Sequence, residues 1–221
     1  MAHQEKKLLV EGETDRSFFQ ACLREAGIID EVGVCPPTDY KALGSGKGNA
    51  LHILPMLITN LADGTLSRLA LIVDADFTET YSGFSETWRK ITGILRESGY
   101  CIPENPPTST NGFIFTHTDG LPDFGLWIMP NNTKDGMLED FIKASIVCTE
   151  KPLLAHALTT VNSLPNRKFK DIHLSKAEIA TWMAWQTIPG QSIAGAVGGK
   201  LLDFQTGQAK QFLDWLKKVY T

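Results

Sequence analysis

The stretch RLALIVDAD at residues 68–76 is almost continuously apolar until it reaches two aspartates. An unbroken apolar run of this kind is typical of a parallel strand that is covered on both faces of its sheet. The shorter run KKLLV (6–10) has the same character and is followed directly by Glu11. Both predicted strands therefore end on carboxylates, and the sequence predicts a sheet with acidic residues at its carboxyl edge.

Strand-like and helix-like segments alternate along the first two thirds of the chain. A helix is predicted from Asp15, with Thr14 as its N-cap and apolar residues at helical spacing as far as Gly27. The other predicted elements are strands at 31–36, 112–118 and 124–130 and helices at 50–62 and 85–98. A link of five residues joins the last two strands, too short for a parallel crossover, so we expect a hairpin or two edge strands.

After residue 145 the sequence pattern is helical. Alternating strands and helices followed by helices predict an α/β fold, with a central, mainly parallel sheet flanked by helices and a mixed edge. The length of 221 residues allows one domain of ordinary size with a small appendage. We expect an α/β domain over residues 1–145 and a helical C-terminal extension over 146–221, packed on the same core.

The composition, with 43% hydrophobic and 21% charged residues, is typical of a folded, soluble protein and excludes the disordered class. A net charge of −4 argues against binding nucleic acid by general electrostatic attraction, so such binding requires a local patch or bound cations. The start of the chain lacks a secretory signal, and no apolar stretch approaches the roughly 18 residues of a membrane span. We therefore expect a cytoplasmic protein without a membrane partner. The four cysteines form no CxxC pair and are expected to be reduced and mostly buried.

Carboxylates gather where the two buried strands end. Ligands of open α/β sheets bind beyond the carboxyl ends of the strands, so Glu11 meets Asp74 and Asp76 there if the strands are neighbours. The alternation of an extended chain points both aspartates the same way, and Asp15, one turn into its helix, faces the same crevice. Clustered carboxylates repel each other, and oxygen ligands favour Mg²⁺ or Mn²⁺. A helix-capping role explains Asp15 equally well.

The segments VEGETD (10–15) and LIVDAD (71–76) together resemble the TOPRIM domain shared by topoisomerases, bacterial primases, maturase-type ribonucleases and OLD-family nucleases. That domain carries a glutamate and a glycine after its first strand and a DxD motif after its third. The version with an aspartate four residues after the glutamate is most similar to OLD-type nucleases and to small stand-alone TOPRIM-like proteins. The resemblance covers roughly residues 6–145.

The resemblance implies a role for each residue that matches the TOPRIM motifs. Glu11 matches a glutamate that acts as general acid/base or metal ligand, and Gly12 a glycine that lets the backbone turn beside the substrate phosphate. The segment GMLEDFI (136–142) is similar to a later acidic motif of OLD-type domains and adds Glu139 and, less directly, Asp140. A first-turn helix carboxylate explains Glu139 equally well. The implied metal ligands are Glu11, Asp15, Asp74, Asp76 and Glu139, and the implied catalytic carboxylates are Glu11, Asp74 and Asp76.

Two lysines are candidates for contact with the substrate. Lys47 lies in the glycine-rich loop GSGKGN (44–49), which matches no nucleotide-binding fingerprint. We predict that Lys47 contacts the substrate phosphate. The alternative is that it is a solvated lysine of the loop. The resemblance to OLD-type nucleases also implies a catalytic lysine after the acidic motifs. That role is assigned to Lys200, in AGAVGGK (194–200), although no spacing selects it over Lys176.

These residues lead to two hypotheses of different classes. The first is Mg²⁺- or Mn²⁺-dependent hydrolysis of phosphodiester bonds in DNA or RNA, in which metal ions orient an attacking water and stabilise the departing oxyanion. The second is a non-catalytic TOPRIM-like module that binds metal and nucleotide and acts in regulation, within a phage-defence or mobile-element system. Both hypotheses leave open a homodimer and an ATPase partner.

Overall fold

The computed structural model describes residues 5–41 and 44–221 of the chain. Its strands are β1 (Glu5–Leu9), β2 (Val32–Cys35), β3 (Leu66–Asp74), β4 (Phe113–Phe115) and β5 (Phe124–Met129). Its α-helices are α1 (Glu13–Ala26), α2 (Lys47–Ala62), α3 (Phe84–Glu97), α4 (Leu138–Ser145), α5 (Lys151–Asn162), α6 (Leu174–Ala184), α7 (Ala194–Gly198) and α8 (Gly207–Tyr220). Strands are confined to the first 129 residues, as the sequence pattern predicts.

The five strands form one sheet in the order β2-β1-β3-β5-β4. β1 lies parallel to both β2 and β3, and β3 lies parallel to β5, whereas β4 pairs with β5 in the antiparallel direction. The predicted α/β fold, with a mainly parallel sheet, surrounding helices and a mixed edge, is therefore confirmed. Because β1 and β3 are neighbours, the residues that follow these two strands lie side by side at the carboxyl edge.

The three central strands alternate their side chains between two apolar layers, one on each face of the sheet. On one face, Leu71 and Leu126 pack with the apolar residues of α2 and α3. On the other face, Ile72 and Trp127 pack with those of α1, α4, α6 and α8. Helices thus cover both faces of β3, which explains why its sequence lacks a polar stripe.

The helices after residue 145 share the apolar layer that also contains α1. The Phe212 ring lies 5.0 Å from the Trp127 ring of β5 and 5.8 Å from the Phe19 ring of α1, measured between centroids. At the end of α8, the Tyr220 hydroxyl donates a hydrogen bond to the Lys7 carbonyl at 2.8 Å. These contacts attach the last helix of the chain directly to the sheet.

Some local expectations differ from the structure. Helix α1 begins at Glu13, because the Gly12 carbonyl accepts the first helical hydrogen bond from the Arg16 N–H, so Thr14 is not the N-cap. All four cysteines are free, but Cys22 and Cys35 are buried whereas Cys101 and Cys148 are exposed. Among residues 5–41 and 44–221, no helix has the length and apolar character needed to cross a bilayer.

Candidate metal centre at the carboxyl edge of the sheet

Two carboxylates at the carboxyl edge of the sheet are held by backbone N–H groups. The Glu11 Oε1 atom accepts a hydrogen bond of 2.8 Å from the Asp74 N–H. In turn, the Asp74 Oδ1 atom accepts one of 2.9 Å from the N–H of Leu138, the first residue of α4. These two bonds join the ends of β1, β3 and α4, and they bring two acidic side chains from distant parts of the sequence into one place.

The two carboxylates lie in a crevice of about 550 Å³. Its charged lining residues are Glu11, Glu13, Asp15, Asp74, Glu139 and Lys176. Glu13 differs from the other four acids because its side chain is 64% exposed and is ion-paired with Arg16. The remaining lining residues are small or uncharged: Gly12, Thr14, Thr38, Ser45, Gly46, Leu138 and Ile193. The crevice is therefore strongly acidic, with one lysine in its wall.

Burial and mutual repulsion raise the pKa values of the carboxyl groups in the crevice. Burial is the main reason that the Glu11 pKa rises from 4.5 to about 7; the hydrogen bond from the Asp74 N–H opposes the rise, and the negative charge of Asp76 adds to it. The Asp15 pKa rises from 3.8 to about 6, first through burial and then through the like charge of Glu139. Full ionisation of the crevice is therefore unfavourable near neutral pH.

Asp74 and Glu139 follow the same trend. Burial, followed by the negative charges of Glu11 and Asp15, holds the Asp74 pKa well above its usual range. Burial also raises the Glu139 pKa, although a backbone hydrogen bond and the positive charge of Lys176 oppose the increase. The Glu139 Oε2 atom is buried and has no hydrogen-bond partner among the described residues. A buried carboxylate oxygen without a partner is costly, and a cation is the ligand that would relieve it.

The donor set of the crevice fits a hard divalent cation, because carboxylate oxygens are the ligands that Mg²⁺ and Mn²⁺ prefer. A bound cation would offset the repulsion among the acids and provide a partner for Glu139 Oε2. As the side chains stand, the described part of the chain contains no group of three or more His, Cys, Asp or Glu residues that could hold a metal ion. Glu11 and Asp74 each direct one oxygen to a backbone N–H, so ligation requires side-chain rotation or their second carboxylate oxygens.

A family model described as "Protein of unknown function (DUF3226)" matches residues 5–221, which is almost the whole chain. The chain belongs to the DUF3226 family. No curated protein and no solved structure matches it. The family match carries no substrate or reaction, so the chemistry of this DUF3226 protein has to be inferred from the crevice itself.

Asp76 of this DUF3226 protein does not line the crevice. β3 ends at Asp74, and Asp76 adopts a left-handed backbone conformation with a φ of 61°. Its N–H and carbonyl pair with those of Gly136 at 2.8 and 2.9 Å, and its Oδ2 lies 2.7 Å from the Lys47 Nζ. The expectation that Asp74 and Asp76 point the same way is wrong, because the extended conformation on which it depends stops at Asp74.

The Lys47 ammonium is engaged inside the protein. Besides Asp76, its partners at 2.8 to 3.1 Å are the carbonyl oxygens of Asp74 and Ala75 and the hydroxyl oxygens of Ser82 and Thr87. An ammonium group has three donors, so these contacts use all of them. Contrary to the prediction for substrate phosphate, Lys47 holds the turn that follows β3 in place.

Lys176, on α6, is the lysine that lines the crevice. It is exposed, and its positive charge lowers the pKa of both Asp15 and Glu139. Lys200, to which the catalytic role is assigned from the sequence, is exposed just after α7 and is not among the residues that line the crevice. Of the two lysines that sequence spacing could not distinguish, Lys176 is therefore the one that the structure places at the crevice.

Helix α6, which carries Lys176, is joined to α4 by a polar contact that the sequence pattern does not predict. The Lys143 Nζ lies 3.0 Å from Asp140 Oδ1 and 2.9 Å from Glu178 Oε2, and it donates a hydrogen bond of 2.7 Å to the Ser175 hydroxyl. Asp140 also accepts a hydrogen bond from the Met137 N–H at 3.0 Å, which caps α4. Asp140 therefore has a structural role here instead of the ligand role suggested by the sequence. Apolar spacing gives no signal for such ion pairs between helices.

Gly12 lines the crevice, but its backbone does not need a glycine. With φ of −163° and ψ of −175° it is extended, a conformation open to any residue. A Cβ atom there would meet Ser45 Cβ at 3.4 Å, which is ordinary van der Waals contact. The expected glycine-dependent turn is therefore absent at this residue, and contact of Gly12 with a substrate phosphate stays a prediction.

Proposed function

We propose that this protein binds Mg²⁺ or Mn²⁺ in the acidic crevice and hydrolyses phosphodiester bonds of nucleic acid there. The observation that carries the proposal is the set of four partly buried carboxylates that line one crevice beside Lys176: Glu11, Asp15, Asp74 and Glu139. Their raised pKa values indicate a crowding of negative charge that a divalent cation would relieve. The resemblance of VEGETD and LIVDAD to TOPRIM motifs supports the same chemistry.

In this proposal the four carboxylates are the metal ligands. Bound among them, a divalent ion supplies Lewis-acid chemistry that activates water and stabilises negative charge on the departing oxygen. Glu139 contributes its unpartnered Oε2, and Asp74 its second oxygen, since Oδ1 is used by the Leu138 N–H. Glu11 follows β1 and accepts a hydrogen bond from the last residue of β3. As an alternative to metal ligation, it keeps the general acid/base role that the resemblance implies.

The two lysines have different parts in the proposal. Lys176 contacts the substrate phosphate, because it is exposed and lines the same crevice as the acids. Lys47 positions Asp74 by binding the carbonyl oxygens of Asp74 and Ala75. We expect Lys176→Ala to weaken binding of nucleic acid while leaving the free energy of unfolding within roughly 0.5 kcal/mol of the wild type.

A second function, metal-dependent nucleotide binding without cleavage, is favoured by one observation. No three acidic side chains in the described residues are positioned to hold a metal ion as they stand. If the carboxylates hold an ion but supply too few ligands to position a water against the phosphate, the crevice binds the phosphate through that ion without cleaving it. Under this reading the protein is a TOPRIM-like binding or regulatory module.

The test is incubation of the purified protein with labelled single- and double-stranded DNA and RNA, in Mg²⁺, Mn²⁺ or EDTA. We expect metal-dependent products from the wild type and none from Asp74→Asn or Glu11→Gln. Both amides keep an oxygen that can accept the existing backbone hydrogen bond, so these variants change charge more than shape.

The matched control is Glu97→Gln, which alters an exposed glutamate in the last turn of α3 and should retain activity. Products that persist in EDTA, or that persist in both site variants, would contradict the proposed hydrolysis. Metal binding by the wild type without any products would favour the second function.

A further inference from the structure

An apolar groove adjoins the acidic crevice. It has a volume of about 480 Å³, and residues of α6 and of the segment 190–193 line it. The residues of α6 that face it are Ile179, Ala180, Met183 and Ala184. Groove and crevice share four lining residues: Thr14, Glu139, Lys176 and Ile193. They are therefore neighbouring parts of one depression, acidic at one end and apolar at the other.

The ligand that fits both parts has to combine an anionic group, held by Lys176 and a cation bound in the crevice, with an apolar group. Lys176 lies at the junction, because it lines both cavities, and a phosphate placed there would leave the rest of the ligand beside Ile179 and Met183. Ile179 and Met183 are almost completely buried, so the accessible apolar surface of the groove comes mainly from the exposed Ala180 and Ala184. Gln191 and Ser192, in the segment 190–193, add an amide and a hydroxyl group to the lining. A nucleobase has apolar faces and a hydrogen-bonding edge, and so it matches this lining.

We propose that the groove receives the base of a nucleotide whose phosphate lies at Lys176 beside the acidic crevice. This inference rests on the proposed function and adds a substrate class to it. A base in a duplex is paired and stacked, so it enters such a groove only after it has been unpaired, unstacked and extruded, which is unfavourable. An unpaired nucleotide, in a single strand or free, is therefore the preferred ligand.

The test compares two phosphate monoesters that differ in the base. AMP and ribose 5-phosphate are titrated into the protein by calorimetry in the presence of Mg²⁺. We expect AMP to bind about tenfold more tightly, since contact with the apolar lining of the groove removes part of the apolar surface of the base from water. Single-stranded and double-stranded oligonucleotides, compared by fluorescence anisotropy in the same buffer, distinguish a nucleotide unit of a strand from a free nucleotide.

Filling the groove should remove the preference for AMP. Ala180 is exposed on α6, so Ala180→Phe places a ring in the groove without disturbing the core. The matched control is Ala155→Phe, at an exposed alanine of α5 that lines neither cavity. Gln191→Ala is a second variant, which keeps the test decisive if Ala180→Phe does not fold. We expect Ala180→Phe to bind AMP and ribose 5-phosphate equally and Ala155→Phe to keep the tenfold ratio.

A separate Mg²⁺ titration without nucleotide distinguishes this inference from the proposed function. If Mg²⁺ binds but the wild type does not prefer AMP, the base site is refuted and the metal site stands. The same follows if Ala180→Phe keeps the full preference, or if Gln191→Ala keeps it where Ala180→Phe does not fold. If AMP is preferred while no Mg²⁺ binds, the base site stands and the proposed metal chemistry is refuted. Tight binding of AMP without binding of either oligonucleotide would identify a free nucleotide as the ligand.

Discussion

Replacing Glu11 with glutamine should stabilise the metal-free protein, because it removes a charge that the fold disfavours. A folded-state pKa of about 7, against 4.5 for the free side chain, corresponds to roughly 3 kcal/mol of destabilisation at about pH 8. The glutamine oxygen can keep the hydrogen bond from the Asp74 N–H. The new NH₂ group gains no hydrogen-bond acceptor, and this cancels roughly 1 kcal/mol of the gain in stability. We therefore expect Glu11→Gln to raise the free energy of unfolding by about 2 kcal/mol.

The pH dependence of this effect has a defined sign. Between about pH 4.5 and pH 7 the folded protein holds the Glu11 proton while the unfolded chain has released it, so stability falls as the pH rises. Above about pH 7 the contribution of Glu11 to stability no longer changes with pH. The variant lacks the part of the decrease in stability that is due to Glu11.

The assay is urea unfolding in EDTA at about pH 5 and about pH 8. The free energy of unfolding of Glu11→Gln should exceed that of the wild type mainly at the higher pH. The control Glu97→Gln should stay within roughly 0.5 kcal/mol of the wild type at both pH values. If Glu11→Gln is no more stable than the wild type at about pH 8, the description of the crevice as a site of crowded charge is wrong.

Three further substitutions test the contacts around the crevice by urea unfolding, with the exposed Lys134→Met as the control for the two lysine variants. Lys47→Met should cost roughly 2 kcal/mol, because the Asp74 carbonyl oxygen and the Asp76 carboxylate lose the ammonium group, whereas the Ala75 carbonyl keeps the Gly83 N–H; a cost near zero would contradict the described contacts. Lys143→Met should cost roughly 2 kcal/mol, since it leaves the buried Glu178 without its ion pair; a variant as stable as Lys134→Met would refute this. Gly12→Ala should have a free energy of unfolding within roughly 0.5 kcal/mol of the wild type, and a large loss would show that the added Cβ atom clashes with Ser45.

The sheet could be predicted because continuous runs of apolar residues indicate which strands are buried. A run such as LALIV (69–73) has to be covered on both faces, and the short link before β5 permits only an antiparallel neighbour. The meeting of Glu11 and Asp74 follows from this fold, since their strands are adjacent and parallel. Local pattern and general sheet geometry were sufficient for that part of the site.

The rest of the site depends on contacts that no local pattern specifies. The direction of Asp76 is set by its left-handed backbone and its ion pair with Lys47, which is 29 positions earlier in the chain. Lys176 lines the crevice from α6, a helix that is joined to α4 by the ion pair between Lys143 and Glu178. The sequence gives no signal for the partners of charged residues on helices. Motif order alone therefore led to Lys200 as the predicted lysine, although Lys176 is the one that lines the crevice.

The central claim is that the acidic crevice binds a divalent cation, and the most direct measurement is a Mn²⁺ titration followed by electron paramagnetic resonance. The wild type and Asp74→Asn are compared at about pH 8, where the raised pKa values of Glu11 and Asp15 allow the ligands to ionise. We expect saturable binding by the wild type and an affinity at least roughly tenfold lower for Asp74→Asn, since each ligand lost removes on the order of 1 kcal/mol or more. Equal binding by the two proteins, or no saturable binding by the wild type, would contradict the claim.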